Sequence, residues 1–235
     1  MPETILINNW LFAAMQPADQ AALLPALVRR QLMQKEVLLR TGGEVAFIHF
    51  PVSAQIANVM VFDTGESLAV SMVGRDGVTG LAAFMANAPI GWDAITHVEG
   101  VVWSAPASTL RAIAARSHHL TDLLLDATHQ NQIEAHSQAI CATFHAVMPR
   151  LARWLVTLQD RTGLSSFALT QEDFAQLLGV RRTTIVEAIA ELRGRGALTK
   201  NTRGRVVIRD RGALKTAACT CHGRVQGQGK AAVVA

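Results

Sequence analysis

Apolar residues recur along this chain with two different periods. In residues 1–30 they return every three or four positions, which predicts helices. From about residue 34 to residue 105 the apolar stretches are short and separated by turn residues, and they lie at 37–39, 47–50, 57–62, 68–73, 95–98 and 101–103. This alternation predicts a jelly-roll-like antiparallel β-roll that also contains a short helix at 80–85.

The helical period returns at residue 106, in a short helix over 106–116 and then in a long helix over 119–145. In the long helix a seam is spaced alternately by four and three residues, and its first part is apolar and the rest polar; its members are Leu120, Leu124, Ala127, Asn131, Glu134, Gln138, Cys141 and His145. Such a seam is typical of a helix that pairs with its twin, so we expect a dimer contact there. The candidate contact residues are Leu120, Leu124, Ala127, Asn131, Gln138 and Cys141. The alternative is that the helix packs on its own domain.

A different kind of signal follows this helix. Pro149 is expected to end or kink it before a further helix over 151–159. The most informative stretch comes next, LTQEDFAQLLGVRRTTIVEAIAELRGRGALTKNTRGRVVI, at residues 169–208. Thr170 can cap a first helix, and Gly179 interrupts that helix.

A second helix is expected to start at residue 182 or 183. Its buried face would carry four apolar residues, Ile185, Ala188, Ile189 and Leu192. Two short strands at 197–199 and 206–208, joined by a turn at 201–204, would complete a winged helix-turn-helix. This motif is built to place one helix in the major groove of DNA.

Polar residues at the start of the second helix are the candidate base contacts. Arg181 and Arg182 lie there, and an arginine at this point can bind guanine O6 and N7 with two hydrogen bonds. Thr183, Thr184 and Glu187 are expected within reach of the same groove. Glu187 can accept a hydrogen bond from cytosine N4 or can repel phosphate.

The wing and the distribution of charge extend this interpretation. Arg203 and Arg205 are expected to project from the wing towards the phosphate backbone. From residue 165 onward the chain has twelve Lys or Arg and five Asp or Glu, against ten and thirteen before that point. Such a concentration of positive charge favours a nucleic-acid partner. The alternative is a small α+β core with a solvated basic face.

The remaining composition narrows the class of protein. No apolar run has the roughly 18 residues that a membrane span needs, and the first residues lack the features of a signal peptide. Three cysteines without framework spacing favour the cytoplasm. No nucleophile–base pair, paired carboxylates or phosphate-cradling loop stands out, so the sequence does not indicate an enzyme.

The order of roll, long helix and winged helix-turn-helix resembles the Crp/Fnr superfamily of bacterial transcription regulators. Segments similar to one subgroup occur in the family's order, at 50–62, 72–81, 150–163, 169–189 and 217–223. The resemblance places Arg181, Arg182, Thr183 and Glu187 on the recognition helix, and Gln171 near phosphate at the start of the preceding helix. It implies a homodimer on a pseudo-palindromic operator, with RNA polymerase as a further partner.

The sequence also differs from the family pattern in ways that bear on its expected function. Cyclic-AMP-binding members use an Arg-Ser pair for the cyclic phosphate, but this chain has no arginine between Arg75 and Arg111, so we expect no cAMP binding. Iron–sulfur members use N-terminal cysteines, whereas the first cysteine here is Cys141. Thr183 stands where the family usually has Glu, and Glu187 where cAMP-type members have Arg, so the half-site should differ from theirs.

A Cys-x-Cys-His sequence near the C-terminus is the main candidate for sensing chemistry. Cys219, Cys221 and His222 suit a soft metal or redox change, although a closed site takes four ligands. Cys141 could be the fourth only if its helix lies close. The alternatives are small residues at a domain end, or a histidine-lined helix face that includes His129 and His136. The sequence identifies no effector and no cofactor.

The predicted fold is therefore α+β with four segments. These are a β-roll sensor domain at 1–117, a dimerisation helix at 118–146, a winged helix-turn-helix at 147–223 and a flexible tail at 224–235. The first hypothesis is a homodimeric DNA-binding regulator. The second is a ligand-binding or redox module whose winged domain makes protein contacts.

Overall fold

The computed structural model describes residues 8–64, 66–199 and 204–221. The chain divides into two units. The first comprises residues 1–58 and 72–129, and the second comprises 59–71 and 130–235. Among the described residues, no helix is both long enough and apolar enough to span a bilayer.

The first unit begins with short helices and continues as a roll of strands. The helices before the roll are α1 (Trp10–Ala14) and α2 (Pro17–Leu23), followed by a 3₁₀ turn at Leu24–Ala26. The strands of the roll are β1 (Val28–Leu32), β2 (Val37–Leu39), β3 (Phe47–Pro51), β4 (Gln55–Val61), β5 (Ser67–Val73), β6 (Asp93–Val98) and β7 (Gly100–Pro106). The end of β4 and most of β5 belong to the second unit. Helices α3 (Leu81–Ala86) and α4 (Ala107–Ala114) lie between and after them.

Two sheets form the roll, with strand orders β1-β7-β3 and β2-β6-β4-β5. Strand β7 pairs antiparallel with β1 and with β3, in registers that set Val28 opposite Ser104 and Phe47 opposite Pro106. The core between α1, α4 and the sheet includes Phe12 and Phe50, whose rings meet edge to face with centroids 6.5 Å apart. Burial of these apolar side chains is what holds the roll together.

The second unit is mostly helical. Its helices are the second half of α5 (His118–Phe144), then α6 (Val147–Thr162), α7 (Gln171–Leu178), α8 (Arg182–Gly194) and α9 (Arg211–Ala217). Strand β8 (Ser166–Phe167) pairs antiparallel with β9 (Val206–Val207), and an isolated bridge joins Leu198 to Ile208. Trp154, Phe167 and Phe174 are its largest fully buried side chains.

The predicted α+β fold class and the order of its elements are confirmed, with local differences. Residues 28–30 were expected to be helical but form β1, because pairing with β7 outweighs the local period. The strand expected at 197–199 contributes only the bridge at Leu198, and β8 was not predicted. Pro149 lies in the first turn of α6, where an N–H is not needed for the helix. Residues 201–203 of the predicted turn, and the predicted tail at 224–235, lie outside the described residues.

Candidate DNA-binding surface and cysteine cluster

Helix α7 begins at a capping box, as the sequence predicts. The Thr170 hydroxyl accepts from the backbone N–H of Asp173 at 3.1 Å, and the Asp173 carboxylate accepts from the backbone N–H of Thr170 at 2.8 Å. The helix ends at Gly179, whose φ of +62° is left-handed. A side chain there would also meet Leu68, because an added Cβ would lie 3.0 Å from its Cδ1. The turn that follows therefore has a fixed shape.

Helix α8 buries one face and exposes the face predicted to read DNA. The four predicted apolar residues, Ile185, Ala188, Ile189 and Leu192, are all buried. Arg181 is the N-cap residue, and Arg182 opens the helix. Of the predicted base contacts, Arg181, Arg182, Thr183 and Glu187 are exposed and Thr184 is partly exposed. Their role in DNA binding stays a prediction.

The wing contributes one described arginine. Arg205 donates to the Ser166 hydroxyl from Nε at 3.2 Å and from Nη2 at 3.0 Å, which fixes its position beside β8. Gln171, Arg182 and Arg205 line one cleft in this unit. Arg203, the other predicted wing contact, lies outside the described residues.

Two further residues join this surface and were missed by the sequence argument. Arg193 lines the same cleft, and its Nε is buried with no hydrogen-bond partner among the described residues. Val186 is exposed on the outer face of α8, where an apolar side chain can contact a thymine methyl group. Both positions follow from the helical period once the buried face is fixed.

The buried residues of the α5 seam pack against other residues of the same chain. Leu120, Leu124 and Ala127 are buried in the core of the first unit, and Cys141 is buried in the second. A partner chain would reach them only if their present neighbours moved. Asn131 and Gln138 are partly exposed.

The polar half of the seam faces arginines of α6. Glu134 and Arg161 form a buried ion pair with N and O 3.1 Å apart. Gln138 accepts a hydrogen bond from Arg153, whose guanidinium also lies 5.5 Å from the centre of the Trp154 ring. These contacts explain why the seam changes from apolar to polar along the helix.

A third arginine of α6 supports the helix-turn-helix itself. Arg150 donates from Nη2 to the carbonyl oxygen of Leu178 at 2.6 Å, at the C-terminal end of α7. Burial lowers the pKa of this guanidinium, and the nearby Cys141 opposes that shift. Arg150 thereby satisfies a carbonyl that the helix itself leaves without a partner.

Four potential metal ligands meet in the second unit. The side-chain donor atoms of Cys141, His145, Cys219 and Cys221, which we call the cysteine cluster, all lie within 4.8 Å of one another. Cys141 Sγ is 3.4 Å from Cys219 Sγ, and Cys221 Sγ is 3.6 Å from His145 Nδ1. The structure thus brings Cys141 to the two C-terminal cysteines. His222 lies outside the described residues, and His145 was not predicted as its companion.

Cys141 and Cys219 differ in how readily their thiols ionise. A hydrogen bond from Cys219 lowers the pKa of Cys141 to about 5, against the effect of burial and with help from the charge of Arg153. The same hydrogen bond and burial raise the pKa of Cys219. Cys141 is therefore the more readily ionised sulfur of the pair, and Cys219 is the thiol that donates to it. A signal for His145 was present in the sequence, because Cys-x-x-x-His places both side chains on one helix face.

A long stretch of the roll contains no lysine or arginine that could bind a phosphate. Residues 76–110 contain neither Lys nor Arg. Arg111, which follows, donates to the carbonyl oxygen of Phe84 at 2.9 Å and lies 4.5 Å from the centre of its ring. This arginine therefore supports the C-terminal end of α3.

Comparison with known proteins identifies one domain of this chain and its overall fold. The family profile of the Crp-like helix-turn-helix domain matches residues 149–217. No curated protein matches the sequence. Among solved structures, FixK2 from Bradyrhizobium japonicum is similar with a TM-score of 0.70 and 17% identity, over 83% of this chain and 98% of that one.

Two other solved structures are also similar to this chain. A regulator assigned to the Crp/Fnr family from Eubacterium rectale has a TM-score of 0.70 at 16% identity, over 89% of this chain and 98% of its own. The c-di-GMP-responsive regulator CLP from Xanthomonas campestris has a TM-score of 0.66 at 14% identity, over 83% of this chain and all of its own (100%). The chain therefore contains a Crp-like helix-turn-helix domain and has the fold of the Crp/Fnr family of transcription regulators.

Proposed function

We propose that this chain is a homodimeric, sequence-specific DNA-binding transcription regulator. The observation that carries the proposal is the exposed N-terminal edge of α8, with Arg181, Arg182, Thr183 and Glu187 on a helix whose opposite face is buried. In helix-turn-helix docking this edge meets the bases. The fixed turn at Gly179 and the contact of Arg150 with α7 support that edge rigidly.

The cleft beside α8 suits the DNA backbone. Arg193 and Arg205 line it with Gln171 at the start of α7, and Arg182, which we assign to the bases, lines it too. Several cations on one concave surface favour phosphate, and side-chain amides commonly bind phosphate as well. Base readout is therefore assigned to the start of α8, and backbone contacts to the cleft and the wing.

The proposed dimer uses the face of α5 that its own chain leaves exposed. Leu125, Ile140 and Phe144 are exposed apolar residues of this helix, and Phe144 is 77% exposed. A second copy would bury them and would set two recognition helices against two half-sites. Contact with RNA polymerase stays a prediction.

We further propose that cAMP is not the effector. A cyclic phosphate bound inside the roll would need a cation, and the stretch 76–110 supplies none. Arg111 is already engaged with Phe84. Isothermal titration should detect no cAMP binding, and micromolar affinity would refute this point.

The function is tested by selecting bound duplexes from a randomised DNA pool with the purified full chain. A palindrome with half-sites about 10 base pairs apart, and an affinity that falls steeply with salt, would support the dimeric regulator. Equal retention of all sequences would contradict specific recognition.

Three variants then separate the roles of the arginines on the selected duplex and on a scrambled one. Arg182→Ala should cost about 1–3 kcal/mol on the selected duplex only, or about 5- to 150-fold in affinity. Arg205→Ala should weaken binding to both duplexes similarly. Arg195→Ala is the control, because that residue pairs with Glu191 at the far end of α8. If Arg182→Ala behaves like this control, the assignment of the recognition edge is wrong.

A further inference from the structure

The cysteine cluster joins two distant segments of the chain. Cys141 and His145 lie one helical turn apart at the end of α5, and the N–H of His145 donates to the carbonyl of Cys141 at 3.2 Å. Cys219 and Cys221 lie beyond α9, 78 residues after Cys141 in the case of Cys219. All four belong to the second unit.

The spacing of the four donor atoms suits a single tetrahedral ion. Zn–S bonds of about 2.3 Å and Zn–N bonds of about 2.0 Å set ligand-to-ligand separations of about 3.5–3.7 Å. The Cys141–Cys219 and Cys221–His145 separations are 3.4 and 3.6 Å, and no pair exceeds 4.8 Å. Small side-chain rotations would therefore complete the tetrahedron.

The surroundings suit a thiolate centre. Zinc bound by three thiolates and a neutral imidazole carries one net negative charge, so a nearby cation stabilises it. Arg150 and Arg153 both interact electrostatically with Cys141, and both are buried. The three cysteines are also nearly inaccessible to solvent, which protects metal–thiolate bonds from exchange.

The backbone also holds the ligands in place. The N–H of Cys219 donates to the carbonyl of Pro149 at 3.3 Å, beside the start of α6. The backbone N–H of Cys221 forms a hydrogen bond to the Cys219 sulfur. An N–H donated to a ligand sulfur is typical of metal–thiolate sites, whereas the bond to Pro149 holds the backbone of Cys219.

We propose that Cys141, His145, Cys219 and Cys221 form a Cys₃His site for one Zn²⁺ ion, which links the end of α5 to the segment after α9. Soft thiolate donors in tetrahedral geometry select zinc over harder cations. This proposal does not rest on the proposed function, and its test needs no DNA.

Cobalt binding to the full chain tests the site directly. The protein is reduced, freed of metal with a chelator and titrated with Co²⁺, which reports thiolate ligands and tetrahedral geometry through its absorption bands. We expect one Co²⁺ per chain, thiolate-to-cobalt charge transfer, and complete displacement by one equivalent of Zn²⁺. Zn²⁺ should also raise the Tm of the protein.

Variants on the same helix provide matched controls. His145→Gln should weaken Co²⁺ binding about tenfold or more and change the visible bands. His136→Gln, at an exposed position of α5, should bind like the parent. Cys219→Ser removes one of the three thiolates, so it should weaken both Co²⁺ binding and the charge-transfer band, and its circular dichroism shows whether the variant is folded.

Two results would overturn the proposal. One is an unchanged Co²⁺ spectrum in His145→Gln, which would place the metal elsewhere. The other is a reduced protein that binds no Co²⁺ and in air forms a Cys141–Cys219 disulfide, counted by thiol titration and mass spectrometry. That result would assign the pair to oxidation.

Discussion

The buried ion pair between Glu134 and Arg161 should contribute strongly to the stability of the second unit. Its nitrogen and oxygen are 3.1 Å apart, and both side chains are only 8% exposed. Glu134→Ala removes the carboxylate and with it the charged contact that the Arg161 guanidinium makes at 3.1 Å. Removal of one partner from such a pair costs about 3–5 kcal/mol.

An exposed pair of the same unit is the matched control. Glu191 and Arg195 are 2.7 Å apart on α8, but their side chains are 49% and 51% exposed. Because solvent screens that pair, Glu191→Ala should cost only about 0.3–0.5 kcal/mol. The difference in unfolding free energy between the two variants should therefore reflect the burial of each pair and not its N–O distance.

Hydrogen exchange of peptides from α6 measures the free energy of local and global opening in each variant. A double variant, Glu134→Met with Arg161→Met, should recover most of the loss, because it removes both buried charges of the pair. If Glu134→Ala costs no more than Glu191→Ala, the buried pair does not stabilise the unit as argued. If the double variant is as unstable as the single one, lost packing and not the lost ion pair explains the effect.

Two further predictions concern a turn and a titrating histidine. Gly179→Ala should destabilise the second unit by about 1–2 kcal/mol in urea unfolding, because φ is +62° and the new Cβ would crowd Leu68, whereas Gly194→Ala, with open space around it, should be neutral or stabilising. The pKa of His49 is lowered from 6.5 to about 4 by burial and by the charge of Arg30, so the unfolded chain takes up the proton first as pH falls. Stability of the first unit should therefore drop by about 3 kcal/mol between pH 6.5 and 4, and the drop should vanish in His49→Gln. Equal stability of the two glycine variants, or an unchanged acid profile in His49→Gln, would contradict these arguments.

The sequence predicted those elements whose local signals agreed with their tertiary contacts. The capping box at Thr170, the buried face of α8 and the strand at 37–39 all follow from residues close together in the chain. Strands β1 and β8 were missed because their partners, β7 and β9, are distant in sequence. Pairing of that kind leaves little trace in the period of a single segment.

The seam of α5 shows what a sequence pattern leaves unpredicted. A 4-3 pattern indicates which helix face is buried, but not what buries it. Here the apolar half meets the core of the first unit, and the polar half meets Arg153 and Arg161. The exposed Phe144 lies off that seam. The cysteine cluster was only partly predicted for a similar reason, because its two halves are 78 residues apart.

Arg150 of helix α6 lies between the cysteine cluster and the helix-turn-helix. Arg150 interacts with Cys141 and also donates to the carbonyl of Leu178, the last residue of α7. A change of charge at the cluster, whether by metal binding or by oxidation, alters the electrostatic energy of this arginine. Because Arg150 is buried, solvent screens that change weakly. The end of α7 precedes the turn into α8, so we expect a change of charge at the cysteines to act on the residue that supports that turn.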